Sequence, residues 1–390
     1  MTLSDDLRRR MTDAGLEIVA FHLPQYHSVP ENDRWWGRGF TEWTLVRRAR
    51  PLFLGHRQPR RPAPVPGYYD LSDPAVLEWQ AHTARAYGIG GFCFYHFWFR
   101  SKRLLHEPVD RFLRGGLPAI DFCLAWANEP WTRGWDGSDE AVLQPQTYGG
   151  PATWRAHCRA LAPALRDARA IRIGAKPLLL IYRAGHIPNA RAMLDCWRDE
   201  ALRIGIGEIF VAAMSNGFND ADDDALRAVD AVVDFAPFSA LRNRKRGGKG
   251  QHYDYETVWE QLRKPQRRHR MQFRGAFVSW DNTPRRGKRG IVFDGATPAR
   301  YRHHLAQQIR AVLRRPRRER LLFLNAWNEW GEGCTLEPDA DLGTAYLEAT
   351  AAAIGDAFAQ EQSGEIEPER HRLLARHDGL PVIADQPENL

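Results

Sequence analysis

Eight short apolar, β-prone runs punctuate the chain, at residues 18–21, 91–95, 120–126, 177–182, 209–213, 231–235, 276–279 and 321–325. Each is too short for a helix and lacks strict alternation, which is how strands buried on both faces read. A segment with helical spacing follows each run, at 74–87, 104–113, 151–168, 189–204, 221–228, 255–264, 298–314 and 343–358. Pro74, Pro151 and Pro298 stand at the starts of three of these segments, where a missing N–H is tolerated. Strand and helix alternating eight times predict an α/β fold of the (β/α)8 TIM-barrel type. A doubly wound open sheet is the rival arrangement, but no Gly-rich phosphate loop follows the first run. H-L-P-Q-Y-H follows instead, then a long loop to Asp73 whose Trp35, Trp36, Phe40, Trp43, Tyr68 and Tyr69 argue for order. The barrel is expected over residues 16–361, with an extension at 1–15 and a tail or edge element at 362–390.

In such a barrel, catalytic groups sit where the strands end. His22, Gln25, Tyr26 and His27 follow the first run, with Trp43 further along its loop. Tyr95, His96 and Trp98 close the second. The third leads into W-A-N-E-P-W, giving Trp126, Asn128, Glu129 and Trp131, then Arg133, Trp135 and Asp136. Tyr182, Arg183 and His186 follow the fourth, Ser215 and Asn216 the fifth, and Trp280, Asp281 and Asn282 the seventh. The eighth runs into N-A-W-N-E-W-G-E-G, with Asn325, Trp327, Asn328, Glu329, Trp330 and Glu332. The strand starts carry no such groups.

Carboxylates, amides, histidines and indoles converging on one mouth are the material of a sugar site. Indoles stack on rings, amides bind hydroxyls, and paired carboxylates cleave an acetal. The 14 tryptophans fit this reading, although indoles also fill large cores. Cleavage needs a proton donor and a second carboxylate beside the anomeric carbon. Glu329 and Glu332, three apart in a Gly-punctuated loop, are the expected pair. Glu129 is open to either catalysis or substrate binding, and Glu337 and Asp339 to capping the last helix. His22, His27, His96 and His186 could assemble a metal site, but no H-x-H or H-E-x-x-H spacing supports one, so no metal or cofactor is expected.

The net charge of +7 is concentrated in runs at 242–249, 264–270, 285–289 and 314–320. Such runs are usually solvated faces. They could also touch an anionic glycolipid or membrane surface, whereas no nucleic-acid module is present. Five cysteines without a C-x-x-C pair fit a reducing compartment. The N-terminus M-T-L-S-D-D-L-R-R-R-M lacks the apolar core of a secretory signal, so a cytoplasmic location is expected.

Four blocks carry a resemblance: A-F-H-L-P-Q-Y-H, P-E-N-D-R-W-W-G-R-G-F-T-E-W, W-A-N-E-P-W-T-R-G-W-D-G and N-A-W-N-E-W-G-E-G-C-T-L-E-P. They resemble the WbsX-type proteins of bacterial surface-polysaccharide clusters, which have a glycoside hydrolase family 99-like domain. The resemblance covers roughly residues 16 to 360 and implies a metal-free (β/α)8 barrel. It implies that Glu332 is the general acid/base. Glu329 would act on the 2-hydroxyl through an anhydro-sugar, or attack the anomeric carbon directly, with retention in both cases. Gly331 stands where the hydrolases commonly have His. The expected activity is retaining cleavage or transfer of a glycosidic bond on an oligosaccharide or glycolipid. A nucleotide-sugar or lipid-linked-sugar glycosyltransferase and a non-catalytic glycan-binding barrel are the alternatives.

Overall fold

A computed structural model describes residues 1–115, 118–133, 141–216, 223–241, 251–264 and 269–362. Eight parallel strands form the barrel: β1 (Glu17–His22), β2 (Gly91–Phe99), β3 (Asp121–Trp126), β4 (Lys176–Ile181), β5 (Phe210–Ser215), β6 (Ala231–Asp234), β7 (Gln272–Phe277) and β8 (Leu321–Asn325). Each pairs with the next. The ring closes at Val19, which is in register with both Gly91 and Phe323. This is the (β/α)8 barrel that the spacing predicts.

Twelve helices are described: α1 (Asp5–Ala14), α2 (Pro30–Trp36), α3 (Glu42–Arg48), α4 (Pro74–Ala86), α5 (Glu107–Gly115), α6 (Pro151–Arg166), α7 (Ala190–Arg203), α8 (Asp223–Ala228), α9 (Tyr255–Arg263), α10 (Thr283–Arg286), α11 (Pro298–Leu313) and α12 (Ala345–Gln362). Pro74, Pro151 and Pro298 each open a helix. α2 and α3 give the long loop after β1 its order. No helix among the described residues is long and apolar enough to cross a membrane.

The seventh strand starts four residues earlier than its apolar run suggests, because Arg274 and Gly275 interrupt the hydrophobic pattern. A Cβ at Gly275 would lie 1.9 Å from the Asp234 carbonyl oxygen. Only glycine lets β6 and β7 approach this closely.

The strand starts do carry polar groups. Glu17 and Asp121 sit at the bottom of β1 and β3, and burial, with Asp121 adding repulsion, pushes the Glu17 carboxyl up to about 7. The basic run at 314–320 is not simply a solvated face either. Arg317 and Arg320 donate to the Thr12 and Ala14 carbonyls at the end of α1, at 3.0 and 2.7 Å, where a cation offsets the helix dipole. Leu3 and Met11 are buried, and Arg10 donates to the Phe358 carbonyl at 2.8 Å, so α1 packs on α12. The run at 242–249, part of that at 264–270, and residues 363–390 lie outside the described residues.

Gly275→Ala is expected to destabilise the protein by about 3 kcal/mol, the upper range for overpacking. Gly115→Ala, whose Cβ meets nothing within 4 Å, should change stability by less than about 1 kcal/mol. Urea denaturation of the two variants checks the contrast.

Candidate active site

The mouth is organised around a guanidinium. Arg285, in a basic run expected to be solvated, is instead 5% exposed and bound by three glutamates. Its Nε donates to Glu42 Oε1 at 2.6 Å, Nη2 to Glu329 Oε2 at 2.8 Å, and Nη1 pairs with Glu332 Oε1 at 2.8 Å. The two expected carboxylates are thus brought together on one cation, with a third that motif reading did not single out. Glu42 lies inside the G-F-T-E-W block, on α3. Nothing in its neighbours marks it, because its partner is 243 residues away.

Local chemistry explains the placement. Asp281 Oδ1 accepts from the backbone N–H and hydroxyl of Thr283, at 3.0 and 2.6 Å, and so fixes the start of α10. Its other oxygen meets His56 Nε2 at 2.8 Å and Gln58 Nε2 at 2.7 Å. The Asp281 N–H donates to the Glu332 carbonyl at 2.7 Å, which links α10 to the strand-eight loop. Gly331 is required by space. A Cβ there would meet Glu42 Oε1 at 1.7 Å and Arg285 Nε at 2.8 Å.

Three carboxylates share one cation in a closed setting, so the charge count favours a retained proton. Burial pushes both Glu329 and Glu332 up, and Arg285 opposes it. Glu332 reaches about 8, with Glu329 and Glu42 adding repulsion. Its side chain is 21% exposed, against 6% for Glu329 and 0% for Glu42. The carboxyl that opens to the mouth is also one whose surroundings favour the protonated form, as a proton donor requires. The Tyr95 hydroxyl, raised first by burial, sits in the field of Glu329 and Glu332. Tyr182, raised the same way, feels both Glu129 and Glu332.

Several of the other predicted residues bond within this arrangement. Asn328 accepts from the Leu23 N–H at 2.7 Å and donates to the Leu23 carbonyl at 3.0 Å. The Tyr26 hydroxyl donates to the Asn328 carbonyl and accepts the Trp330 N–H. Trp43 donates to the Tyr69 carbonyl at 2.8 Å, and Asn325 to that of Ala236 at 2.9 Å. Gln25 and Trp327 are fully buried. Glu337 does not cap the last helix. It lies beneath Trp330, accepting from its indole at 2.6 Å, from Tyr69 at 2.9 Å and from Gln80 at 2.7 Å. Gln80 in turn meets His22 at 2.9 Å, and burial lowers His22 to about 4. Asp339 binds Arg60 at 2.9 Å and accepts from the Asp341 and Leu342 N–H groups in the turn before α12.

Across the mouth, Glu129 pairs with Arg183, and Asn128 accepts from the Arg183 N–H at 2.8 Å. Trp126 donates to the Trp98 carbonyl at 3.1 Å. His96 meets His157 at 3.0 Å, and Trp98 lies parallel to the His157 ring at 4.6 Å. Burial lowers His96 to about 3. Trp131 is half-buried against Trp35, Phe97 and Phe99. Asp136 lies outside the described residues. Among the described residues, no group of three or more His, Cys, Asp or Glu side chains is placed to hold a metal ion.

The family model described as glycosyltransferase WbsX matches residues 18–350. Proteins named WxcX and described as uncharacterized, from two strains of Xanthomonas campestris pv. campestris, are each 40% identical over 348 residues. The alignment takes in 86% of this chain and 49% of theirs, so the chain spans about half the length of these curated relatives. Among solved structures, the family 99 endo-α-mannosidase of Bacteroides thetaiotaomicron is similar with a TM-score of 0.56 at 13% identity, over 89% of this chain and 98% of that one. A glycoside hydrolase-like protein is similar with the same score and identity, over 87% and 94%. At these identities the likeness is one of fold.

Arg285→Met would leave Glu42 and Glu329 buried without their cation. It is expected to cost about 3–5 kcal/mol. The loss should deepen as pH rises, because the orphaned carboxylates stay buried only when protonated. Adding Glu42→Met should restore part of it. Urea unfolding of both variants at pH 6 and pH 8 reads the effect.

Proposed function

This chain belongs to the WbsX family, and from that premise we propose that it cleaves or transfers glycosidic bonds with retention. Its substrate is a bacterial surface glycan of O-antigen or capsule type, or the oligosaccharide or glycolipid precursor of one. One observation carries the reading: Glu329 and Glu332 meet on a single guanidinium, with Glu332 the more open of the two and burial pushing its carboxyl up. In this mechanism Glu332 gives its proton to the leaving oxygen, then takes one back from the incoming hydroxyl. Glu329, nearly closed to water and paired with Arg285, supplies negative charge to the sugar. It does so by attacking the anomeric carbon or by drawing the proton from the 2-hydroxyl. Water as acceptor gives hydrolysis, and a sugar hydroxyl gives transfer. Tyr95 and Tyr182, in the field of these carboxylates, and Glu129 beside Tyr182 are assigned to substrate hydroxyls in this reading. The cysteines are all unpaired, which supports a reducing compartment such as the cytoplasm.

The test is turnover of bacterial surface polysaccharide and of synthetic α-glycosides, with anomeric configuration followed by NMR. Glu332→Gln should lower kcat/KM about 10²–10⁴-fold on substrates with poor leaving groups, and far less on activated ones. Glu329→Gln should lose activity on both. Turnover on nucleotide sugars alone would replace this reading with a glycosyltransferase. Binding of glycans without turnover on any donor would replace it with a glycan-binding barrel.

The pH profile is a separate check. An acid that must be protonated works below its pKa and fails above it. In the wild type, kcat/KM should therefore fall tenfold per pH unit above about 8, the value of Glu332. Glu332→Gln should lack that alkaline limb.

A further inference from the structure

Eight large apolar side chains are exposed among the described residues, and five of them, Leu52, Phe53, Leu54, Val65 and Tyr68, lie in the loop after β1. Residues 47–68 of that loop hold six arginines and no acidic residue. Arg60 is tied to Asp339 at 2.9 Å, and Arg57 loosely to Asp341 at 3.8 Å. Arg47, Arg48, Arg50 and Arg61 are exposed.

The tip is held outward by the fold. The Phe53 ring stacks on His56 at 4.2 Å. His56 Nδ1 accepts the Leu52 N–H at 3.0 Å, while its Nε2 meets Asp281 at 2.8 Å. Leu54, next to this anchor, is fully exposed. A soluble surface rarely keeps contiguous apolar side chains in water without a use for them. A projecting tip suits a medium that yields around it better than a rigid pocket does. Arginines without intervening acids suit a surface of phosphates.

We propose that the 47–68 loop is an interfacial anchor that seats the barrel mouth on an anionic phospholipid membrane. Leu52, Phe53 and Leu54 enter the boundary between headgroups and acyl chains, and the flanking arginines stay at the phosphates. His56 and Gln58 share Asp281 with the start of α10, so the anchored loop adjoins the Arg285 cluster. Where the preceding functional reading holds, a glycan carried on a lipid enters the mouth from this surface. That consequence rests on the reading, whereas lipid binding itself does not.

The test is co-sedimentation of the full chain with vesicles, which involves no sugar chemistry. The wild type should pellet with phosphatidylcholine vesicles containing phosphatidylglycerol, and release as salt is raised. It should bind pure phosphatidylcholine at least tenfold more weakly. Leu52→Ser/Leu54→Ser, which spares the Phe53 ring on His56, and Arg48→Gln/Arg50→Gln/Arg61→Gln should each lose at least tenfold in binding to the anionic vesicles, several-fold per arginine. Both should keep the wild-type melting temperature and turnover of soluble glycan. The proposal is overturned if the wild type stays in the supernatant at low salt, or if both variants pellet like it. It is also overturned if the serine variant only abolishes self-association in sedimentation velocity, which would make the patch a protein interface.

Discussion

Two buried carboxylates and a third at the mouth cannot be held together in water-poor surroundings without a counter-charge, and Arg285 is the counter-charge. Desolvating a carboxylate costs several kcal/mol even after relaxation. One guanidinium offers donors in a planar fork, so it can meet three acids in fixed directions. Glu42, Arg285 and the 329–332 turn come from three distant parts of the chain. Their pairing makes α3, α10 and the strand-eight loop one electrostatic unit. One positive charge does not balance three negative ones, so the cluster favours uptake of a proton, and burial and repulsion push both Glu329 and Glu332 upward.

Gly331 belongs to the same constraint. The resemblance to family 99 hydrolases leads one to expect histidine there, yet the Glu42 carboxylate fills the volume a Cβ would need. An imidazole at 331 and a carboxylate from α3 exclude each other. The loop after β1 therefore shapes the mouth as much as the loop after β8 does.

The barrel was legible because burial on both faces leaves a local signature, namely short apolar runs between helical spacings. The seventh run shows the limit. Gly275 is there for the approach of β6 to β7, a contact that apolar periodicity does not register. Glu329 and Glu332 were legible because Gly, Asn and Trp crowd them. Arg285 was hidden by its neighbours: Arg286, Lys288 and Arg289 are exposed, so the run reads as a solvated face although one member is buried. Glu42 was hidden by distance. Ion pairs between remote segments leave no spacing to read, and the same holds for Glu337, whose partners lie on α4, in the loop after β1 and in the turn after β8.

Sequence position at the strand ends does not tell which polar atoms the protein itself uses. Asn328, Asn325, Trp43, Trp126 and Tyr26 use their polar atoms on the protein's own backbone. This is what a fixed site requires. Donors and acceptors already engaged cost no reorganisation when a substrate arrives, and they hold the few remaining groups still. The ladder from His22 through Gln80 and Glu337 to Trp330 does this for the strand-eight loop. Asp281 does it for α10. Glu332 is then the one member of the Arg285 cluster with appreciable access to the mouth, at 21% exposed against 6% or less for the others.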